Sequence, residues 1–322
     1  MPAPPSADRQ VGPDDVRRLV ADVLWEPGAT RAELLLPARK TGEGWDTTSW
    51  RIGRTVEDGP HDLVLRVPRR DSAADLLGHE LRVLRLLVSD PHPLRVPRVW
   101  GTVGPEDHPL ALVLDWYEGV TAADLGAEVR AAVGRDLARM LARVHSTPLV
   151  DLPRNPVRGV DLARRDVSFR EDLAEAVDLG EATRTWLREV WEQGLAAPRW
   201  EGPDLLLHGD PHPGNLVVPT DGDGQVLIDW GDTTPGDPAS DLGALFLYGA
   251  DDPDRPGESA DGALAAYRAA ATWPGAEDDR AWSALVCRSR AWGVRYSLTL
   301  GNAYPASDGL GAVARRMWAR LG

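Results

Sequence analysis

Apolar positions in this chain change their spacing part-way along. Between residues 32 and 68, short apolar and β-branched stretches recur at about 32–37, 47–53 and 62–68, separated by polar turns, and they predict strands. Stretches near 96–103 and 110–115 predict the rest of a small sheet. A helix is predicted from about Ser72 to Leu87, with Leu76, Leu77, Leu81, Leu84 and Leu87 on one face. Ahead of the sheet, Asp14 can cap a helix reaching about Trp25, striped by Val16, Leu19, Val20, Val23 and Leu24. From Thr121 onward the spacing is helical. Leu125, Val129, Val133, Leu137, Leu141 and Val144 predict one helix over 121–146, and another is expected over 168–194. His145, at the end of the first, is expected to be structural. Residues 257–322 read as helical, with breaks near Pro274 and Pro305.

One stretch departs from both patterns: LLLHGDPHPGNLVVPTDGDGQVLIDWG, from Leu205 to Gly231. Leu205–Leu207, Leu216–Val218 and Gln225–Ile228 read as strands, with Asp221–Gly224 as a turn. The loop between the first two holds His208, Asp210 and Asn215, and Asp229-Trp230-Gly231 follows the last. H-x-D-x-x-x-x-N followed by D-x-G is the spacing of a catalytic Asp, a magnesium-binding Asn and a magnesium-binding Asp in phosphoryl transfer. That reaction spreads charge over phosphoryl oxygens, so catalysis is chiefly positioning and electrostatic stabilisation. Asp210 can orient a hydroxyl and take its proton, while Asn215 and Asp229 offer the hard oxygen ligands Mg²⁺ prefers. Two plainer readings compete. His208 and His212 have the spacing of a helical metal pair, but Pro211 and Pro213 oppose a helix there. An ordinary turn is the other, against which one of only three asparagines falls at the required position.

Composition narrows the setting. A formal net charge of −14 argues against a nucleic-acid partner. No run of eighteen apolar residues occurs, which argues against a membrane span. Cys287 is the only cysteine, so an intramolecular disulfide is excluded and a reducing cytoplasm is expected. The opening MPAPPSADRQ lacks the basic-then-apolar layout of a signal peptide. Lys40 is the sole lysine, which reads as compositional bias.

LLLHGDPHPGNLVV followed by VLIDWGDTTPGDPASDLGAL resembles the core of the aminoglycoside/macrolide phosphotransferase family, relatives of protein kinases. The similarity runs from about Gly42 to about Leu300 and is specific around 205–246. It implies an α+β, protein-kinase-like two-lobed fold: a β-rich N-lobe over 1–114, a hinge over 115–120 and a mainly helical C-lobe over 121–322. It implies transfer of the γ-phosphate of ATP or GTP to a small-molecule hydroxyl, with Mg²⁺ as cofactor.

The same resemblance assigns roles. Asp210 would be the base, with Asn215 and Asp229 on the metal. The loop Thr41–Thr48, with Gly44, Asp46 and Thr47, would arch over the phosphates. Lys40 precedes that loop, so Arg66 takes the place of the usual strand lysine, paired with Glu80, while Arg69 and Arg70 face solvent. Backbone groups of Asp115 and Tyr117 would meet the purine. His208 and Asp241 would support the catalytic loop, Asp241 having a helix-cap reading as well; Asp232 gets at most a supporting role. Asp251 and Asp252 in an acidic patch with Asp254, Glu258 and Asp261, together with Trp292 and Tyr296, are candidate substrate contacts; a solvated loop and helix packing are the alternatives. The expected assembly is a monomer or homodimer. Three functions are compatible: an antibiotic O-phosphotransferase, a kinase of a hydroxylated metabolite, and a pseudokinase that binds nucleotide without turnover.

Overall fold

Alternation along the strands assigns the two faces of the N-terminal sheet to different tasks. In the computed structural model, which describes residues 7–8, 10–26, 32–55, 62–89, 94–149, 151–177, 179–249 and 258–319, helix α1 (Pro13–Ala21) and the short β1 (Leu24–Trp25) come first. Strands β2 (Ala32–Glu43), β3 (Thr47–Thr55) and β4 (Asp62–Pro68) follow as a meander, and β5 (Val99–Val103) and β6 (Ala111–Trp116) complete a six-stranded antiparallel sheet. Along β4, Leu63, Leu65 and Val67 pack with Trp50, Ile52 and the α1 residues Val16 and Val20. Val64 points the other way, into a cluster with Leu77, Leu81 and Leu84 of helix α2 (Asp71–Val88). Arg66 lies two residues beyond Val64 and so shares its face, toward α2.

The first helix stops short of the expected Trp25. Asp22 caps it, Val23 packs against Gly101, and Leu24 and Trp25 pair with Thr102 and Gly101 as an edge strand.

Beyond β6 the chain crosses to β7 (Gly119–Thr121), then a 3-10 turn at Ala122–Asp124 and helix α3 (Ala127–Val144). The single helix expected over 168–194 is two, α4 (Asp166–Glu175) and α5 (Glu181–Ala196). Gly180 is the extended N-cap that starts the second. Next come β8 (Leu205–Leu207), β9 (Leu216–Pro219), β10 (Val226–Leu227) and β11 (Thr234–Gly236). Two short helices, α6 (Ala239–Gly243) and α7 (Leu245–Tyr248), precede α8 (Glu258–Ala270), α9 (Asp279–Ala303) and α10 (Gly309–Ala319). The long α9 packs against α5, α6 and α10, and Trp292 lies buried where it crosses α6. A Cβ at Gly243 would come within 2.4 Å of the Trp292 Cβ, so the two helices meet backbone to side chain. Trp292 is therefore core and not a substrate contact. Asp251, Asp252 and Asp254 lie outside the described residues. Among those described, no helix is long and apolar enough to cross a membrane.

His79 of α2 is buried and donates its Nε2–H to the Thr233 carbonyl at 2.6 Å, joining α2 of the N-lobe to the C-lobe. Burial holds its pKa below the ordinary 6.5. The unfolded chain therefore takes that proton first, and stability present above about pH 6.5 is lost as pH falls through the lower folded value. We expect the urea midpoint to drop between pH 7.5 and 5.5 and the drop to lessen in His79→Asn. An unchanged pH slope in the variant would show that His79 is not held neutral.

Candidate active site

The catalytic segment is built from short strand pairs that fix a loop from both ends. β8 pairs with β11 (Leu207 opposite Thr234), and β9 with β10 (Leu216 opposite Leu227). Between β8 and β9 run His208, Gly209, Asp210 and, past two prolines, Asn215. Gly209 has φ +90°, and a Cβ there would stand 2.2 Å from the Asp232 carbonyl oxygen. That is why glycine separates His208 from Asp210.

Buried donors and acceptors hold the loop backbone. Asp241 of α6, fully buried, accepts from the N–H of His208 at 2.7 Å and of Gly209 at 2.9 Å. His145 Nε2–H donates to the same carboxylate at 3.1 Å, and its Nδ1 accepts from Tyr267 Oη–H at 2.8 Å. His208 accepts the Asp210 N–H on Nδ1 at 3.2 Å and donates from Nε2 to the Ile228 carbonyl at 3.1 Å. Acceptance on Nδ1 requires the neutral ring, with its proton on Nε2, and burial pushes its pKa down accordingly. Tyr296 of α9 donates its hydroxyl to the Gly209 carbonyl at 3.0 Å, and Asn215 Nδ2–H donates to the Asp210 carbonyl at 2.9 Å.

At Asp229, the N-lobe meets the C-lobe side of the cleft through Arg66. Its Nη1 lies 2.5 Å from Glu80 Oε1, and its Nη2 reaches Thr47 Oγ1 at 3.1 Å and Asp229 Oδ1 at 3.0 Å. Asp229 has φ +67°, an uncommon conformation for a residue other than glycine, and its side chain remains 49% exposed to the cleft. Burial works against the charged form of Asp229, but the adjacent Arg66 guanidinium outweighs it and holds the carboxyl low. Glu80 moves the opposite way: burial pushes its carboxyl up to about 7 although Arg66 pulls it down.

Arg69 does not face solvent as expected. Pro68 ends β4, and the turn beyond it folds Arg69 back under the Gly44 turn, where its Nη1–H donates to the Gly44 carbonyl at 2.7 Å and Nη2 pairs with Glu43 at 2.9 Å. Arg70 is paired with Asp46. The loop thus turns tightly, Gly44 N–H to Thr47 carbonyl at 2.9 Å, on an arginine clamp.

Two cavities open on this frame. One, of about 490 Å³, lies between the sheet and β9, lined by Val64, Leu114, Tyr117, Val217 and Ile228. Asp115 borders it but is committed to the sheet: its N–H donates to the Arg98 carbonyl at 3.2 Å, and its carboxylate accepts from Trp100 Nε1–H at 2.7 Å. The Asp115 N–H is therefore unavailable to a base. The second cavity, about 440 Å³, adjoins Asp210 and is walled by Trp45, Asp232, Tyr296, Leu300 and Tyr304.

Among the described residues no group of three or more His, Cys, Asp or Glu gathers as a metal cage. An Asn–Asp pair with an exposed carboxylate edge fits Mg²⁺, which takes its other ligands from phosphate and water. With Nδ2 engaged on Asp210, Asn215 has its Oδ1 to offer a cation.

Sequence reading missed Arg158 and Asn155, which reach Asp210 and Asp232. Arg158, from the loop before α4, places Nη2 2.9 Å from Asp210 Oδ1, and its Nε lies 3.8 Å from Asp232 Oδ2. Asn155 Nδ2–H donates to Asp232 Oδ1 at 2.9 Å. Burial pushes the Asp232 carboxyl up to about 6, against the pull of Arg158. The one available signal was an Asn-Pro-x-Arg-Gly turn in an otherwise patternless loop.

A β-rich lobe clamped over a loop carrying Asp210 and Asn215, with Asp229 opposite, is the architecture of a kinase-like protein. The profile of the phosphotransferase enzyme family matches residues 38–278, and the chain belongs to that family. It is 34% identical over 152 residues to an aminoglycoside 3'-phosphotransferase of Streptomyces fradiae, covering 46% of this chain and 54% of that one. The chain spans about a third to a half of the length of the curated relatives it matches. Among solved structures, the GDP complex of wild-type aminoglycoside 2'-phosphotransferase-IIIa shares the fold with a TM-score of 0.59 at 16% identity, over 90% of this chain and 93% of that one. Macrolide 2'-phosphotransferase MphH from Brachybacterium faecium does so with a TM-score of 0.54 at 22% identity, over 96% of each chain.

Two substitutions test the frame. Gly209→Ala forces a side chain into the Asp232 carbonyl at positive φ, and should cost about 1–3 kcal/mol in urea unfolding. Arg69→Ala removes a charged donor from the Gly44 turn, and should weaken nucleotide binding about tenfold by calorimetry. Unchanged affinity would show that the Arg69 clamp does not shape the nucleotide site.

Proposed function

We propose that the protein transfers the γ-phosphoryl group of ATP or GTP to a hydroxyl of a small molecule, with an aminoglycoside or macrolide antibiotic as acceptor. The observation that carries this reading is the convergence of Asp210, Asn215 and Asp229 on one cleft, with Arg66 bridging Glu80 and Asp229 from the opposite lobe. The local identity to an aminoglycoside phosphotransferase supports the acceptor class.

In this reading the nucleotide base enters the apolar cavity beneath the sheet, with the joint at 115–120 at its back, and its phosphates lie under the Gly44 turn. Arg66 is positioned to neutralise phosphate oxygens while Glu80 fixes its direction. Asn215 and Asp229 would hold Mg²⁺, which when bound supplies positive charge against the phosphates. The acceptor occupies the second cavity and presents its hydroxyl to Asp210, which takes the proton as the oxygen attacks phosphorus. Asp241, through the His208 and Gly209 amides, sets where Asp210 stands. A site enclosed by one chain suits a monomer or homodimer, and the lone, partly exposed Cys287 suits a reducing cytoplasm.

Nucleoside diphosphate release measured with Mg·ATP and Mg·GTP against a panel of kanamycin, streptomycin and a macrolide tests the proposal. Phosphorylation of at least one is expected. Turnover only with other hydroxylated metabolites would replace the acceptor class, and nucleotide binding without any transfer would favour a pseudokinase. Asp229→Ala should abolish turnover. Asp210→Asn keeps the shape but cannot take the proton, so kcat should fall about 10²–10⁴-fold with nucleotide affinity nearly unchanged. Loss of nucleotide binding in Asp210→Asn would make Asp210 a structural or metal-binding residue.

A further inference from the structure

Asp210 is held by its backbone on several sides, but its carboxylate has few partners. Oδ1 is buried and makes no well-aligned hydrogen bond among the described residues, while Arg158 Nη2 stands off-axis at 2.9 Å. Oδ2 has His212 Nε2 at 3.7 Å, beyond hydrogen-bond reach. The side-chain torsion that aims the carboxylate is therefore governed by Arg158.

Arg158 is itself rigidly presented. Asn155 Oδ1 accepts from the N–H of Val157 at 2.9 Å and of Arg158 at 3.1 Å, closing a turn. That turn is tied to β11 by Asn155 N–H donating to Thr234 Oγ1 at 2.9 Å, and by Asp237 N–H donating to the Gly159 carbonyl at 3.1 Å. Gly159, at φ +63°, leaves no room for a Cβ, which would meet Leu207 Cδ1 at 2.7 Å. The guanidinium then lies 5.3 Å from the centre of the Tyr296 ring, whose hydroxyl already holds the Gly209 carbonyl. The turn thus rests on the paired strands β8 and β11, at the start of the catalytic loop, and brings one cation onto one oxygen of Asp210.

We propose that Arg158 is a positioning residue that engages Oδ1 of Asp210 and leaves Oδ2 directed at the acceptor hydroxyl. This rests on the assignment of Asp210 as base. Asp232 adds a second, longer charge contact, its Oδ2 lying 3.8 Å from Arg158 Nε. A misplacement of the base by about 1 Å costs on the order of 10²-fold in rate, so the contact matters kinetically even if it adds little to stability.

The experiment is a kinetic cycle on the full chain with Mg·ATP, using the acceptor phosphorylated in the panel above and, with no acceptor added, water. Arg158→Gln should lower kcat about tenfold to a hundredfold, with the ATP dissociation constant by calorimetry within about twofold of the parent. Arg158→Lys keeps the charge and loses the planar fork, so it should recover part of the loss. In an Asp210→Asn background, Arg158→Gln should cost no more than about threefold further, because the two act as one unit. Wild-type-like turnover in Arg158→Gln, beside a crippled Asp210→Asn, would overturn the role of Arg158 alone. So would an equal loss in both backgrounds, a rise in turnover, or a lowered melting temperature with no rescue by lysine. Full turnover in Asp210→Asn would remove the base assignment and this inference with it.

Discussion

The buried carboxylate of Asp241 is the constraint on which the active site depends. A fully buried charge is tolerated only where donors surround it, and Asp241 has three: two loop amides and the His145 imidazole. The amides belong to consecutive residues, so the carboxylate fixes the direction of the chain entering Asp210, not merely its position. Its own orientation is passed inward from α8. Trp273 Nε1–H donates to Tyr267 Oη at 3.0 Å, and Tyr267 donates on to His145. Breaking any member would leave a buried charge short of a donor, a costly state. The tight loop geometry is thus maintained by a polar chain that never touches the cleft.

A second constraint acts between the lobes. Arg66 touches a glutamate of the N-lobe helix, a threonine of the Gly44 turn and an aspartate of the C-lobe through two nitrogens of one planar group. A lysine ammonium could satisfy the same charges, but as a point donor on a flexible stem it would not set their relative angles. Arginine here couples the height of the Gly44 turn to the strained backbone at Asp229. The near absence of lysine, which reads as compositional bias, meets at this position a geometry that uses the guanidinium fork.

Much of this was legible in the residues, and the reason differs by element. The β4 alternation predicts the face of Arg66, and helical spacing in α2 puts Glu80 beside Leu77 and Leu84, so a cross-element pair follows from two local periodicities. The catalytic loop is legible because its chemistry demands particular side chains at fixed separations. Arg158 and Asn155 were not legible, since their loop has no period and its contacts lie with residues about fifty to eighty positions away. Arg69 was misread because an arginine past the proline that ends β4 reads as solvent-facing, whereas the chain there keeps it against the Gly44 turn and Glu43. Trp292 was left between substrate contact and helix packing because aromatic weight in a helix marks core and cleft alike, and the glycine at 243 across from it decides for packing.

The two unusual backbone conformations near the reacting groups have a common logic. Gly209 and Asp229 each have positive φ and sit two residues past a strand end, one just before Asp210 and the other against Arg66. At Gly209 the cause is steric, because the Asp232 carbonyl occupies the place of a side chain. At Asp229 the carboxylate that Arg66 engages is present, so the strain is retained. Arg66 and the hairpin bond from Ile228 N–H to the Asn215 carbonyl at 2.9 Å hold it there. Strain is therefore relieved at Gly209 and kept at Asp229, whose carboxylate is held by the N-lobe cation.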